Sequence, residues 1–99
     1  MAKRKITWDK QAIIYFRETI KYIRKDSLQN AENVKQGILE RINELSERPE
    51  IHAADKYKTN NTGHYRAFEL YHLRVSYLVK DDEVIIARVR STKQEPRDY

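Results

Sequence analysis

The last third of the chain, from His64 to Tyr99, constrains the fold most, because it contains three short strand-like runs. They read YRAFEL, LRVSYLV and VIIARVRS, and turn-length breaks separate them. Alternate side chains of a strand leave opposite faces, so one face can pack on a core while the other presents cations. The pattern predicts antiparallel strands with a basic open face, followed by the polar tail TKQEPRDY. This face and the tail together indicate a surface for an anionic partner. Arginines occur on every run, at Arg66, Arg74, Arg88 and Arg90.

An amphipathic pattern near the start of the chain predicts a first helix over residues 10–25. Apolar residues recur there at three- and four-residue spacing, which places them on one helical face. Thr7 and Asp9 are both candidate N-caps, because their side-chain oxygens can accept hydrogen bonds from free amide groups. The preceding segment, Lys5 to Trp8, is a short strand candidate. The stripe consists of Ile13, Phe16, Ile20 and Ile23.

A second stripe predicts a second helix, with Ser27 as its cap and Arg48-Pro49 as its end, since proline disfavours helical geometry in the residue before it. Gly37 within it costs about 1 kcal/mol relative to alanine and indicates close helix packing. So short a link should make the two helices an antiparallel hairpin. Packed on the antiparallel sheet of three or four strands, they give a two-layer α+β fold in one domain, 1–99. The second stripe runs through Ala31, Val34, Ile38, Ile42 and Leu45.

The register of the last two strands depends on the length of their turn. A three-residue turn at 80–82 places Arg74, Arg88 and Arg90 on one face, whereas a four-residue turn divides them. Because burying an arginine is costly, the three-residue turn is favoured. The other face then carries Val75, Tyr77, Val79, Ile85, Ala87 and Val89. The predicted core combines Phe16, Ile20, Ile23, Ile38, Ile42, Leu45, Val75, Tyr77 and Val79.

Composition narrows the classes of function. The chain has 99 residues, a net charge of +5 and a pI near 9.5, which favour nucleic acid, an anionic surface or an acidic protein as partner. There is no cysteine, so disulfides and thiolate metal sites are excluded, and the three histidines lack metal-ligand spacing. The start MAKRK is not followed by an apolar stretch, which argues against a secretory signal, and no apolar run is long enough to span a membrane. We therefore expect a cytoplasmic protein without cofactors or membrane contact.

The order of elements, together with YRAFE, the R-x-x-Y of Arg74 to Tyr77 and RVRSTKQEP, resembles the RelE/ParE family of type II toxin–antitoxin toxins. The resemblance covers nearly the whole chain, from ITW to Tyr99. It implies a toxin linked to growth inhibition and plasmid stabilisation. It also implies neutralisation by a cognate antitoxin that covers the helical hairpin and sheet, in a homodimer or a toxin–antitoxin hetero-oligomer.

Members of this family differ in their cellular target. The resemblance implies different functional residues for each target. RelE-like toxins cut mRNA on the ribosome, whereas ParE-like toxins poison DNA gyrase. An RNase would use lysine, arginine and tyrosine side chains to move protons and to stabilise the phosphate. Its lysine pair on the first strand after the loop corresponds here to Arg66 and Phe68. The remaining catalytic candidates of the RNase hypothesis are Arg74, Lys93 and Tyr99.

The sequence favours the ParE-like alternative, a toxin that binds gyrase and catalyses nothing itself. Phe68 cannot donate to a phosphate, and no histidine follows His72 to titrate near neutral pH. The enzyme hypothesis, a metal-independent and ribosome-dependent endoribonuclease, stays open, as does an inactive relative that only binds antitoxin. The residues predicted to contact target or partner are Lys56, Lys58, His72, Arg74, Arg88 and Arg90.

Overall fold

The computed structural model describes residues 3–99; Met1 and Ala2, the first residues of the basic start, lie outside the described range. Its four strands form one sheet in the order β1-β4-β3-β2, and two helices cover one face. This arrangement confirms the predicted α+β fold. The elements are β1 (Lys5–Trp8), α1 (Lys10–Asp26), α2 (Leu28–Glu44), a short 3-10 helix (Pro49–Ile51), β2 (Tyr65–Leu70), β3 (Leu73–Val79) and β4 (Glu83–Ser91).

Local capping defines the helical hairpin. The Asp9 side chain accepts a hydrogen bond from the Gln11 amide at 3.0 Å, so Asp9 is the N-cap of α1, while Thr7 lies within β1. Ser27 ends α1 and also caps α2 by accepting from the Asn30 amide at 3.0 Å. A single residue therefore reverses the chain, which holds the helices antiparallel. α2 ends at Glu44, earlier than predicted, because a turn and the 3-10 helix intervene around Pro49.

The sheet is mixed. β2, β3 and β4 are antiparallel neighbours as predicted, but β1 pairs in parallel with β4. This parallel pairing requires the helical hairpin and the rest of the sheet to lie between the two strands in sequence, as parallel neighbours need a long crossover. The N-terminal strand therefore joins the edge of a sheet whose other strands follow much later in the chain.

The faces predicted for the β4 side chains are wrong near the turn and right beyond a β-bulge. Val79 pairs with Val84, so Ile85 and Ala87 leave the core face, and Val84 and Ile86 are buried instead. A β-bulge then leaves Ala87 unpaired and restores the face on which Val89 is buried. A bulge inserts one extra residue into one strand, so it reverses the alternation of faces along β4. Beyond it, Arg90 pairs with Arg74 and Arg88 with Ser76, which puts the three arginines on one face, as expected.

The core lies between the helices and the sheet. Of the predicted core residues, Ile23 and Val79 are only partly buried at its edge. Phe68, which was matched from sequence to a catalytic lysine of the RNase hypothesis, is a core residue that is 5% exposed. The predicted residues that are buried are Phe16, Ile20, Ile38, Ile42, Leu45, Val75 and Tyr77.

Gly37 permits a close approach, but by a turn rather than by the other helix. A Cβ atom at Gly37 would lie 2.5 Å from Cε2 of Tyr71, in the turn between β2 and β3. Both turn residues have positive φ, 53° for Tyr71 and 63° for His72, a conformation that costs non-glycine residues about 1–2 kcal/mol each. The ring of Tyr71 packed over α2 helps to hold this strained turn in place.

Within residues 3–99, no helix combines the length and the apolar composition needed to cross a membrane.

Replacing Ile42 with alanine should destabilise the domain by about 2–5 kcal/mol, because Ile42 is 3% exposed in the main core and its truncation leaves a cavity. Leu39→Ala on the same helix is the matched control, since Leu39 is 38% exposed and should cost well under about 1.5 kcal/mol. Chemical denaturation of both variants measures the difference. Equal losses would show that α2 does not pack through the Ile42 face.

Candidate functional site

The sheet face opposite the helices forms a cleft of about 600 Å³ beneath the C-terminal tail. One wall consists of side chains from β2, β3 and β4, and the other consists of the tail, which turns back after Ser91. The cleft is lined by Tyr57, Glu69, Arg74, Ser76, Arg88, Arg90, Ser91, Thr92, Gln94, Glu95, Pro96, Arg97 and Tyr99.

Arg74 is held at the cleft by two carboxylates. Its Nη2 donates to Oδ1 of Asp55 at 2.8 Å, and its Nη1 donates to Oε2 of Glu69 at 2.9 Å. The guanidinium also lies over the Tyr57 ring, 4.8 Å from the centroid. These contacts neutralise Arg74 and fix its orientation, so it acts first as a structural cation.

Asp55 is a fully buried carboxylate side chain that joins three parts of the site. Besides Arg74, it accepts from the Tyr57 amide at 3.1 Å and from the Tyr99 hydroxyl at 2.5 Å. Burial by itself would raise the pKa of Asp55, but the hydrogen bonds from Arg74, Tyr99 and Tyr57 outweigh it and hold the pKa below its ordinary value. Asp55 therefore stays ionised at neutral pH.

Arg88 and Arg90, like Arg97 of the tail, line the cleft and have no carboxylate partner within the described chain. Arg88 lies 4.5 Å from the Tyr99 ring centroid and donates to the Arg97 carbonyl at 3.0 Å, and Arg90 lies 5.1 Å from the Tyr15 ring centroid. Burial and the nearby charge of Arg90 lower the pKa of Arg88. Two guanidiniums held close together on aromatic rings leave an unbalanced positive charge at this part of the cleft.

Tyr99 anchors the tail to the loop before β2. Its amide donates to the Tyr57 carbonyl at 2.9 Å, and its own carbonyl accepts from the Thr59 amide at 2.7 Å. Burial and the hydrogen bond to the Asp55 carboxylate raise the pKa of Tyr99 well above its ordinary value. The polar tail is therefore attached to the body of the domain through Tyr99.

Arg66 does not belong to the cleft. It pairs with Tyr77 on β3 and so lies on the helix side, where its Nη1 donates to the His52 carbonyl at 2.6 Å. Phe68 shares this face. Arg66 and Phe68, which were matched from sequence to a catalytic lysine pair, therefore lie outside the cleft, because alternation in β2 turns Ala67 and Glu69 toward it instead.

The other predicted contacts lie around the cleft rather than in it. Lys93 is exposed in the turn after β4, and His72 is exposed in the turn between β2 and β3. Lys58 lies over the rings of Tyr65 and Tyr99, at 4.9 and 5.4 Å, so it supports the tail anchor, and Lys56 lies over the Tyr57 ring. Of the predicted site residues, the structure gathers Arg74, Arg88, Arg90 and Tyr99 in the cleft lining.

No side chain that lines the cleft, among the residues the structure describes, is a histidine or lysine. His52 lies on the helix side against Phe68, and burial together with the charge of Arg41 lowers its pKa. Burial also raises the pKa of Tyr77 to about 12, and its hydroxyl donates to the Pro49 carbonyl, away from the cleft. For residues 3–99, no group of three or more histidine or carboxylate side chains is placed to hold a metal ion.

Asp55, Tyr57, Glu69 and Ser76 contribute to the site but were not among the residues predicted from sequence. Asp55 lies in the irregular stretch before β2, where a single aspartate reads as a turn residue. No local pattern reports that it is buried, because Arg74 and Tyr99, its partners, are 19 and 44 residues away.

A second surface is the groove between α1 and α2, about 570 Å³ in volume. Its floor is apolar and its edges are basic. The groove is lined by Trp8, Ile13, Phe16, Arg17, Ile20, Lys21, Arg24, Lys35 and Leu39.

A family model described as the ParE toxin of the type II toxin–antitoxin system parDE matches residues 6–96. The chain belongs to the ParE toxin family. This assignment confirms the resemblance drawn from the strand runs and the tail. No curated protein is significantly similar to the chain in sequence.

Solved structures of similar fold support the ParE architecture. The chromosomal ParDE TA system from P. aeruginosa superposes with a TM-score of 0.68 at 17% identity, covering 90% of this chain and 96% of that one. The YoeB dimer from Staphylococcus aureus gives 0.51 at 18% identity, covering 90% and 97%. A conserved hypothetical protein from Helicobacter pylori gives 0.52 at 20% identity, covering 95% and 98%. At these identities the likeness shows the shared fold.

Replacing Asp55 with asparagine should lower the free energy of unfolding of this ParE-family chain at pH 7. The loss should be smaller at acid pH. The pKa of Asp55 is lowered by folding, so its stabilisation is complete above the unfolded pKa near ~3.9 and is lost as pH falls through the folded value. The loss at pH 7 should fall below the about 3–5 kcal/mol of a broken buried pair, because Arg74 is partly exposed and keeps Glu69.

Denaturant titrations at pH 7 and at about pH 3 measure this difference, with Asp81→Asn in the exposed turn before β4 as the matched control. A deficit of Asp55→Asn that is equal at both pH values would contradict an ionised, hydrogen-bonded Asp55.

Proposed function

We propose that this ParE-family toxin inhibits DNA gyrase by binding it in the cytoplasm, that it cuts no RNA itself, and that a cognate antitoxin neutralises it. The observation that carries the proposal is the state of the cleft. Two candidate catalytic groups, Arg74 and Tyr99, are both bound to Asp55, while Arg88 and Arg90 have no carboxylate partner among the described residues and are left for an anionic or polar partner.

Metal-free RNA cleavage needs a group that removes the 2′ proton and another that protonates the leaving oxygen. The Tyr99 hydroxyl donates to Asp55, and its pKa is raised, so it releases a proton poorly at neutral pH. Asp55 is itself buried between Arg74 and Tyr99 and has no free path to a substrate. These constraints favour binding over proton transfer.

The residues of β2 also favour binding over RNA cleavage. The resemblance implies that an RNase of this fold presents two lysines from this strand, but the β2 residues in register with the cleft residues Ser76 and Arg74 are Ala67 and Glu69. Alanine offers no donor, and a glutamate repels a phosphate. This side of the cleft is therefore poorly suited to hold a transition-state phosphate.

The second candidate is a ribosome-dependent endoribonuclease, and one observation favours it. Arg88 and Arg90 are two cations without carboxylate partners in a cleft large enough for a nucleotide. In that case Arg74, Tyr99 and the exposed Lys93 would assist them.

Purified chain should inhibit DNA supercoiling by gyrase and should yield no site-specific cuts when incubated with ribosomes and mRNA. The double variant Arg88→Gln, Arg90→Gln should raise the concentration for half-maximal inhibition by about 10- to 100-fold, since it removes two charge-assisted contacts. Arg48→Gln, an exposed arginine just before the 3-10 helix, is the matched control and should inhibit like the wild type.

One outcome would contradict the gyrase proposal. Cleavage of mRNA in the ribosomal A site that disappears in Tyr99→Phe or Arg74→Ala would make the chain an RNase and overturn the gyrase proposal.

For the antitoxin, the groove between α1 and α2 is the better docking surface. Its apolar floor and its basic edge fit an amphipathic segment with acidic residues on one side. The groove is separate from the arginine cleft, since the two share no lining residue.

Charge reversal at the groove edge, Lys21→Glu with Lys35→Glu, should weaken antitoxin binding by about tenfold or more at low salt and reduce its salt dependence, because edge charges are screened. Titration calorimetry at two salt concentrations measures both effects. Arg88→Gln, Arg90→Gln is the comparison variant. If that variant weakens binding more than the groove variant does, the cleft rather than the groove is the main antitoxin site.

A further inference from the structure

The C-terminal tail, residues 92–99, crosses the open face of the sheet as a strap that is held near its two ends. At its start, the Thr92 amide donates to the His72 carbonyl at 2.8 Å, and the Lys93 amide donates to Oγ of Ser91 at 3.1 Å. At its end, Tyr99 is partly buried, while residues 92–98 are exposed. An exposed segment without helix or strand depends on its end contacts to stay in place.

The end contact depends on Asp55. The carboxylate binds Arg74 of β3 through Oδ1 and the Tyr99 hydroxyl through Oδ2, so one buried side chain joins sheet and strap. The Tyr99 ring packs edge-on against Tyr65, with centroids 6.2 Å apart, and the Thr59 hydroxyl donates to the Tyr99 carbonyl at 2.8 Å. A hydrogen bond to an ionised buried acceptor is stronger than a neutral one, so the bond from Tyr99 to Asp55 should strengthen docking of the strap.

The docked strap also positions Arg88. The Arg88 guanidinium is covered by the Tyr99 ring and donates to the carbonyl of Arg97, and both partners belong to the strap. Gln94, Glu95, Pro96 and Arg97 form the second wall of the cleft. If the strap left the sheet, Arg88 would lose both contacts and the cleft would lose this wall.

We propose that Asp55 is the positioning residue of the toxin's binding site, and that the strap docked on it completes the surface that engages the target. Docking restricts Arg88 before the target arrives, so less side-chain freedom is lost on binding. Asp55 does not touch the target; it acts through Tyr99, which holds the strap, and through Arg74, which holds β3. The identity of the target in this inference rests on the proposed function. The docking of the strap does not depend on that function.

The test uses the full chain with Tyr99→Phe, which keeps the ring and removes the hydroxyl, and Tyr22→Phe on the exposed face of α1 as the matched control. Hydrogen exchange should show the Thr59 amide, which donates to the Tyr99 carbonyl, opening about tenfold more often in Tyr99→Phe. The concentration for half-maximal gyrase inhibition should rise by about fivefold or more. Antitoxin affinity should not change, because the helical groove is untouched, and this distinguishes a lost strap from a damaged fold.

Asp55→Asn with and without Tyr99→Phe completes a double-mutant cycle. If Asp55 acts through Tyr99, the two losses of inhibition should be far from additive. Additive losses would overturn the positioning role, and so would unchanged exchange at Thr59 or faster exchange with unchanged inhibition.

Growth arrest on expression separates the two proposals. A wild-type chain that arrests growth without inhibiting gyrase and without cutting mRNA refutes the gyrase target, and loss of arrest in Tyr99→Phe then still supports the strap. Arrest that persists unchanged in Tyr99→Phe overturns the strap, and a wild-type chain that neither arrests growth nor inhibits gyrase overturns both.

Discussion

The β-bulge at Ala87 is the constraint on which both faces of the sheet depend. β4 must bury Val84, Ile86 and Val89 against the helices, and these residues do not follow a strict period of two. The extra residue at the bulge lets all three face the core. The same change of phase brings Arg88 and Arg90 to the opposite face, in register with Ser76 and Arg74. Without it, either the apolar contacts or the basic cleft would be lost.

Asp55 organises the open face in a way that a hydrophobic residue could not. Burying a carboxylate is costly, and the cost is offset only when several donors surround it. Here an arginine, a tyrosine hydroxyl and a backbone amide do so, and each comes from a different segment of the chain. The network therefore specifies where the tail and the loop before β2 meet the sheet. Arg74, which looked like a free catalytic cation in the sequence, is part of this framework.

The fold of the ParE family does not by itself decide the chemistry. Structures described as a ParDE system and as a YoeB dimer both superpose on this chain, so side chains must distinguish binding from catalysis. In this chain Arg74 and Tyr99 of the cleft are both bound to Asp55, whereas Arg88 and Arg90 have no carboxylate partner among the described residues. The helical groove and the cleft lie on opposite sides of the sheet, so the molecule has two separate candidate surfaces.

The sequence by itself determined the helices, the strands and the turn at Tyr71-His72, because these follow from periodicity and capping within a few residues. Arg74, Arg88 and Arg90 share a face as predicted, but the bulge rather than the turn length produces this arrangement. Tertiary structure decided the orientation of β2, since YRAFEL offers an aromatic residue on either face and only packing on α2 selects Phe68 for the core. It also decided the bulge, the parallel pairing of β1 and the attachment of Tyr99 to Asp55. These depend on contacts between residues far apart in sequence, whose desolvation and hydrogen bonding no local pattern records.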